Sequence, residues 1–108
     1  DLRKSDTLCR IGGEEFAVLC QHADMEAALD TAEKLRLAVE AKQIDCDGTM
    51  VQCTISTGIS SMAGKDADYD QYEMYRQSDI AVYHAKRTGR NRVVHYDHME
   101  PEQRIFQA

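Results

Sequence analysis

The chain reads as an α/β fold, an α+β sandwich in which helices lie against a mostly antiparallel central sheet. Three observations carry that reading. Apolar side chains recur at helical spacing over 24–41, a second helix reads over 70–88, and the segments around them are short and rich in β-formers. The first two short segments are separated only by a few residues that include Gly12-Gly13, a hairpin signal that makes them antiparallel neighbours. Turn residues, Asp47-Gly48 among them, fall between elements rather than within them. The resulting order is β-turn-β-α-β-β-α-β.

Thr7-Leu8-Cys9-Arg10-Ile11 is a short extended run, and Phe16-Ala17-Val18-Leu19-Cys20 is apolar, β-rich and one strand long. Glycine at the turn between them supplies positive φ, and without a Cβ it lets a ribose or a triphosphate approach the backbone. Asp24 is placed to cap a helix through Ala41, with Met25, Ala28, Leu29, Ala32, Leu35 and Val39 as its core-facing stripe. A short strand is predicted over 44–47. The longest β-like segment follows over 50–61, a single central strand with Val51, Cys53, Ile55, Thr57 and Ile59 on one face. Residues 62–70 form a polar surface loop, and Tyr69, Tyr72 and Tyr75 have the spacing of side chains that pack along the helix after it. Gly89 is a left-handed stop for that helix. A last strand covers 92–96, before a tail broken by Pro101.

With 108 residues the chain suits one small domain. Its 43% hydrophobic and 30% charged content is that of a soluble globular protein, and no run approaches the roughly 20 apolar residues of a membrane span. No signal peptide is evident, so a cytoplasmic location without direct membrane contact is expected, whether or not the parent protein is membrane-tethered. Cys9, Cys20, Cys46 and Cys53 form no C-x-x-C pair and read as free, buried packing residues. A net charge of −6 argues against nucleic acid as a partner. Basic charge is nonetheless concentrated locally: Lys86, Arg87, Arg90 and Arg92 stand together without an intervening acid, enough to meet one triphosphate but not a polymer backbone. His22, His84, His95 and His98 show no metal-ligand spacing and take no assigned role.

Ile11-Gly12-Gly13-Glu14-Glu15-Phe16 is the most informative hexapeptide, because two carboxylates beside a glycine turn can hold a divalent metal. It does not stand alone. Arg3-Lys4-Ser5-Asp6 precedes it, Thr54-Ile55-Ser56-Thr57-Gly58 follows, and 79–91 reads Asp-Ile-Ala-Val-Tyr-His-Ala-Lys-Arg-Thr-Gly-Arg-Asn. These blocks, in this order, resemble the GGDEF family of diguanylate cyclases, whose pattern is R-x-x-D, R-[YI]-G-G-[DE]-E-F, T-x-S-x-G and A-D-x-A-x-Y-x-A-K-x-x-G-R-N. The one departure in the last block is Ser78, where the family usually has Ala. The resemblance covers residues 1–97, with 98–108 as a C-terminal tail. It implies the C-terminal part of a nucleotidyl-cyclase-like domain, the first strand and helices of the family fold being absent from this chain.

The resemblance implies that two GTP molecules condense to cyclic di-GMP and pyrophosphate on a homodimer, with Mg, or Mn in its place, as cofactor. It makes Glu14 the metal ligand and the base for the attacking hydroxyl, with Glu15 as its partner. Gly12 and Gly13 then leave room for the nucleotide, and Lys86 and Arg90 face its phosphates. Arg3 and Asp6 match the family's inhibitory site for cyclic di-GMP, and Lys34 stands where a second basic contact often lies, Lys replacing the commoner Arg. Asp79 and Tyr83 sit at helical spacing and are assigned to intramolecular bonding and packing, outside the catalytic set. Two other readings suit the same residues: a catalytically silent receptor for cyclic di-GMP or GTP, and an incomplete fragment that acts only as a dimerising segment. Without the family's first strand and its metal-binding Asp, these residues alone are expected to be inactive.

Overall fold

The computed structural model describes residues 6–12, 16–20, 24–66 and 68–104. The elements follow the expected order except that two strands stand where one was expected over 50–61. Strands β1 (Thr7–Gly12) and β2 (Phe16–Cys20) lead to helix α1 (Met25–Ala41), then β3 (Gln43–Cys46), β4 (Thr49–Gln52), β5 (Ser56–Ser61), helix α2 (Gln71–Arg87) and β6 (Val93–His95). Two 3₁₀ turns, Tyr96–His98 and Pro101–Gln103, close the described chain. Both helices start where an aspartate caps them: Asp24 accepts from the Ala27 N–H at 2.8 Å and Asp70 from the Glu73 N–H at 3.0 Å.

The main sheet has the order β2-β1-β5-β6. β1 is antiparallel to β2 and to β5, and only β6 runs parallel to its neighbour β5, so the sheet is mostly antiparallel, as expected. Side-chain alternation divides the core between the two helices. Cys9 and Ile59 pack with Ala28 and Ala32 of α1. Leu8 belongs instead with Tyr69 and with Met74 of α2. The chain after β6 adds to the α2 side, where Tyr96 and Met99 join Ile80 and Ala81, so Met99, two residues past Asp97, is packed into the core.

The segment 50–61 is not one strand. β4 pairs with β3 in a separate two-stranded hairpin, residues 53–55 lie outside any strand, and only β5 enters the main sheet, between β1 and β6. Apolar alternation continues through the break, but a chain that serves two sheets has to leave one before it joins the other. Every residue of β3 and β4 is exposed. Cys46, at the end of β3, and Cys53, just past β4, are exposed free thiols, against the expectation of buried ones, whereas Cys9 is buried. The α1 stripe also narrows: Ala28 and Ala32 are buried and Leu29 packs partly against the same cluster, while Leu35 is 44% exposed. Tyr72 and Tyr75 are exposed rather than packed along α2.

His95 is buried in a hydrogen-bonded setting that depends on its neutral form. The Asp97 N–H donates to Nδ1 at 3.0 Å, which leaves the proton on Nε2 to be donated to Ser61 Oγ at 2.7 Å. Burial pushes the His95 pKa from 6.5 to about 4, with His98 and Lys65 adding to the shift and Asp97 opposing it. A depressed folded-state pKa gives stability that is present above 6.5 and lost as pH falls toward 4. Urea midpoints measured between pH 7 and pH 5 should fall for the wild type and fall less for His95→Gln, which cannot gain that proton.

Candidate functional site

The basic cluster predicted from sequence forms at the C-terminal end of α2. Lys86 and Arg87 occupy the last turn, Thr88 is the C-cap, and its N–H bonds to the His84 carbonyl. The Arg90 N–H then reaches back to the Ala85 carbonyl at 2.9 Å, the long closing bond of a Schellman motif. Gly89 has φ +132°, and the left-handed residues proper are the next two, Arg90 at 60° and Asn91 at 49°. Helix termination is thus spread over three residues, and the expected glycine stop is only its first step.

The four cations of this cluster divide into two kinds. Arg87 donates to Tyr83 Oη at 3.2 Å and lies over that ring, and Arg92 Nε donates to the Arg90 carbonyl at 3.0 Å. Lys86 is half-buried and Arg90 exposed, and neither side chain has an ion-pair or hydrogen-bond partner among the described residues. The carbonyl end of a helix favours cations by ~0.3–1 kcal/mol, which accounts for their tolerance there but not for two unpartnered heads on one turn.

The motif blocks are brought together by strand pairing. Gly12, the last residue of β1, is the register partner of Ser56, the first residue of β5. Ser56 Oγ in turn accepts from the Asn91 N–H at 3.2 Å. The glycine end of the first hairpin and the Arg90 turn therefore meet at one end of β5. A second link joins the same blocks on the α2 face, where buried Arg10 pairs with Asp79 at 3.4 Å and lies 4.4 Å from the Tyr75 ring centre. Asp79 thus has the intramolecular role expected of it. At Gly58 β5 lies close against the backbone of α2, where a Cβ would lie 2.1 Å from the Val82 nitrogen.

Arg3, Gly13, Glu14, Glu15 and His22 lie outside the described residues, so the acidic part of the hairpin and the arginine of the R-x-x-D block have no described geometry. Asp6 precedes β1 and is 1% exposed, at the opposite end of that strand from Gly12, about 20 Å along it. Lys34 stands exposed on α1 and pairs with Asp30 at 3.0 Å. Among the described residues no three His, Cys, Asp or Glu converge to hold a metal.

Sequence reading missed the network that anchors the turn to α1. Asn91 Oδ1 accepts from Arg36 Nη1 at 3.0 Å and its Nδ2 donates to Glu40 at 2.5 Å, while Glu33 grips Arg36 through two bonds of 2.7 Å. That grip holds the Glu33 carboxyl below its ordinary pKa and the Arg36 guanidinium above its own. The partners are far apart in sequence, so the only local sign was an Asn after Gly-Arg, a residue type tolerant of left-handed backbone.

A family model described as the diguanylate cyclase GGDEF domain matches residues 1–92. The chain belongs to the GGDEF family. Diguanylate cyclase A of Treponema denticola is 40% identical over 92 residues, which cover 84% of this chain and 24% of that protein. Diguanylate cyclase DgcP of Pseudomonas aeruginosa is 38% identical over 92 residues, 85% of this chain and 13% of its own length. The chain thus spans about a quarter or less of the length of these curated relatives. Among solved structures, the active GGEEF domain of a diguanylate cyclase from Vibrio cholerae matches at a TM-score of 0.68 and 35% identity, over 82% of this chain and 55% of that one. The GGDEF domain of DgcB from Caulobacter crescentus, solved in complex with cyclic di-GMP, matches at 0.70 and 27%, over 80% of this chain and 49% of that one. The nucleotidyl-cyclase-like fold expected of a GGDEF domain is therefore the fold observed. Among the described residues no helix is long and apolar enough to cross a membrane.

Proposed function

We propose that this chain is the C-terminal part of a diguanylate cyclase catalytic domain, in which two GTP molecules condense to cyclic di-GMP with release of two pyrophosphates. The observation that carries the reading is the meeting, at one end of β5, of the glycine end of β1 with a turn that presents Lys86 and Arg90 without partners among the described residues. A triphosphate needs both: backbone without a Cβ against which it can lie, and cations for its oxygens. Each 3′-hydroxyl attacks the α-phosphate of the other nucleotide, so each protomer of a homodimer presents one GTP and the new bonds form between them.

Lys86 and Arg90 hold the phosphates and favour the charge that builds on the departing pyrophosphate. Glu14 takes the proton of the attacking hydroxyl, with Glu15 beside it, and Gly12 and Gly13 leave space for the nucleotide. Two carboxylates are hard oxygen donors of the kind Mg and Mn accept, and Glu14 and Glu15 are the residues that would hold the ion. When bound, it offsets charge at the reacting phosphate. Cyclic di-GMP would return as an inhibitor at Arg3 and Asp6, with Lys34 as an outlying contact.

In the full-length protein that carries this chain, incubation with GTP and Mg should give cyclic di-GMP and pyrophosphate by chromatography. Glu14→Ala should slow product formation by about 10²-fold or more. Absence of product in the wild type, together with cyclic di-GMP binding that depends on Arg3, would replace the cyclase by a receptor.

A further inference from the structure

We propose that Asn91, clamped by Arg36 and Glu40 of α1, is a positioning residue that aims Arg90 at the bound triphosphate; the inference rests on the reading of Arg90 as a phosphate contact. Arg90 is exposed, and nothing described holds its side chain, so what the fold fixes is the backbone position and Cα–Cβ direction from which it reaches out. That backbone is uncommon: two successive residues that are not glycine, Arg90 and Asn91, have φ of 60° and 49°. A free turn would relax to commoner conformations.

Three groups of bonds prevent that. The Arg90 N–H is tied to the Ala85 carbonyl and the Asn91 N–H to Ser56 Oγ, which fixes the turn to α2 and to β5. The Asn91 side chain adds α1, since its oxygen accepts from Arg36 Nη1 at 3.0 Å and its NH₂ donates to Glu40 Oε2 at 2.5 Å. Arg36 is itself 15% exposed and locked by the paired bonds to Glu33. Both ends of the carboxamide are used, one as acceptor and one as donor. Leucine or alanine cannot replace it there, and aspartate can replace only half of it.

That asymmetry supplies the test. Asn91→Asp keeps tolerance of left-handed backbone and keeps the bond from Arg36, but sets a carboxylate against Glu40. Adding Glu40→Gln reverses the second bond, since Gln donates to Asp. Affinity is read with 3′-deoxy-GTP, which lacks the attacking hydroxyl, on the full-length protein. Asn91→Asp should weaken binding by about threefold to tenfold, Glu40→Gln alone by less, and the double variant should return to within about twofold of wild type. In turnover KM should rise, with a smaller fall in kcat because Arg90 also favours charge on the departing pyrophosphate. A general loss of folded protein would instead lower the apparent kcat and leave KM unchanged. Arg36→Lys, which keeps the charge without the fork, should weaken binding in the same direction.

Wild-type affinity in Asn91→Asp, or a double variant no better than the single one, would overturn the positioning role while Arg90→Ala still weakens binding. If Arg90→Ala itself leaves the affinity unchanged, the phosphate reading fails and this inference falls with it.

Discussion

Gly58→Ala is expected to destabilise the fold by about 3 kcal/mol or more, with the chain partly unfolded at moderate temperature. The added methyl would meet the Val82 nitrogen at 2.1 Å, the Ser78 carbonyl oxygen at 2.4 Å and the Ala81 carbonyl carbon at 2.8 Å. All three are backbone atoms of α2, so no side chain can swing away, and relief requires the helix to move off the sheet. β5 is the strand through which β1, β6 and α2 are all organised, and a shift there would also disturb Ser56 and the Arg90 turn tied to it. A small domain has little stability to spare. Thermal unfolding followed by circular dichroism measures the effect, and a variant with an unchanged midpoint would show that α2 does not approach β5 as described. Gly64→Ala is an instructive contrast, since a methyl at that position meets nothing within 4 Å and its cost comes only from a φ of +77°.

The second large effect concerns substrate. Arg90→Ala and Lys86→Ala should each raise the KM for GTP by about tenfold to a hundredfold, because each removes a charged hydrogen-bond donor worth ~1.5–3 kcal/mol from the phosphates. The double variant should be close to saturation-proof at ordinary GTP concentrations. Arg87→Ala serves as the comparison, since Arg87 is engaged with Tyr83, and its KM should change by less than about threefold. Initial rates against GTP concentration decide the matter. Equal effects of Arg87 and Arg90 would reduce the cluster to a diffuse electrostatic attraction.

Much of the fold was legible because its signals are local. The apolar period and Asp24 located α1, a polar loop before it and Gly89 after it bounded α2, and Gly12-Gly13 and Asp47-Gly48 signalled the two antiparallel pairs β1–β2 and β3–β4. The failures share one cause, which is that partners distant in sequence decided the outcome. Residues 50–61 alternate like one strand, yet β4 is claimed by β3 and β5 by β1, a choice that nothing within the segment encodes. Leu35 has the spacing of a core residue, but α1 meets the sheet through Ala28 and Ala32 and leaves it exposed. Cys46 is exposed with the rest of the β3–β4 hairpin, and Cys53, in the break between β4 and β5, is exposed as well.

The candidate site was legible in a different way. Lys86 and Arg90 were identified from motif and charge, and the structure adds that they differ from Arg87 and Arg92 in lacking partners among the described residues. What no spacing conveyed was why the blocks need one another. Ser56 and Gly58 of the T-x-S-x-G block touch the turn after α2 and α2 itself, Arg10 meets Asp79, and Asn91 joins Arg36 across 55 positions of sequence.

The most direct test of the phosphate site is a crystal structure of the full-length protein with 3′-deoxy-GTP and Mg. The account predicts triphosphate oxygens within about 3 Å of Lys86 Nζ and of the Arg90 guanidinium, beside the glycine end of β1. A nucleotide seated instead in the groove of about 700 Å³ between Tyr72, Tyr75, Arg76 and Asp79, with Lys86 and Arg90 facing solvent, would contradict it.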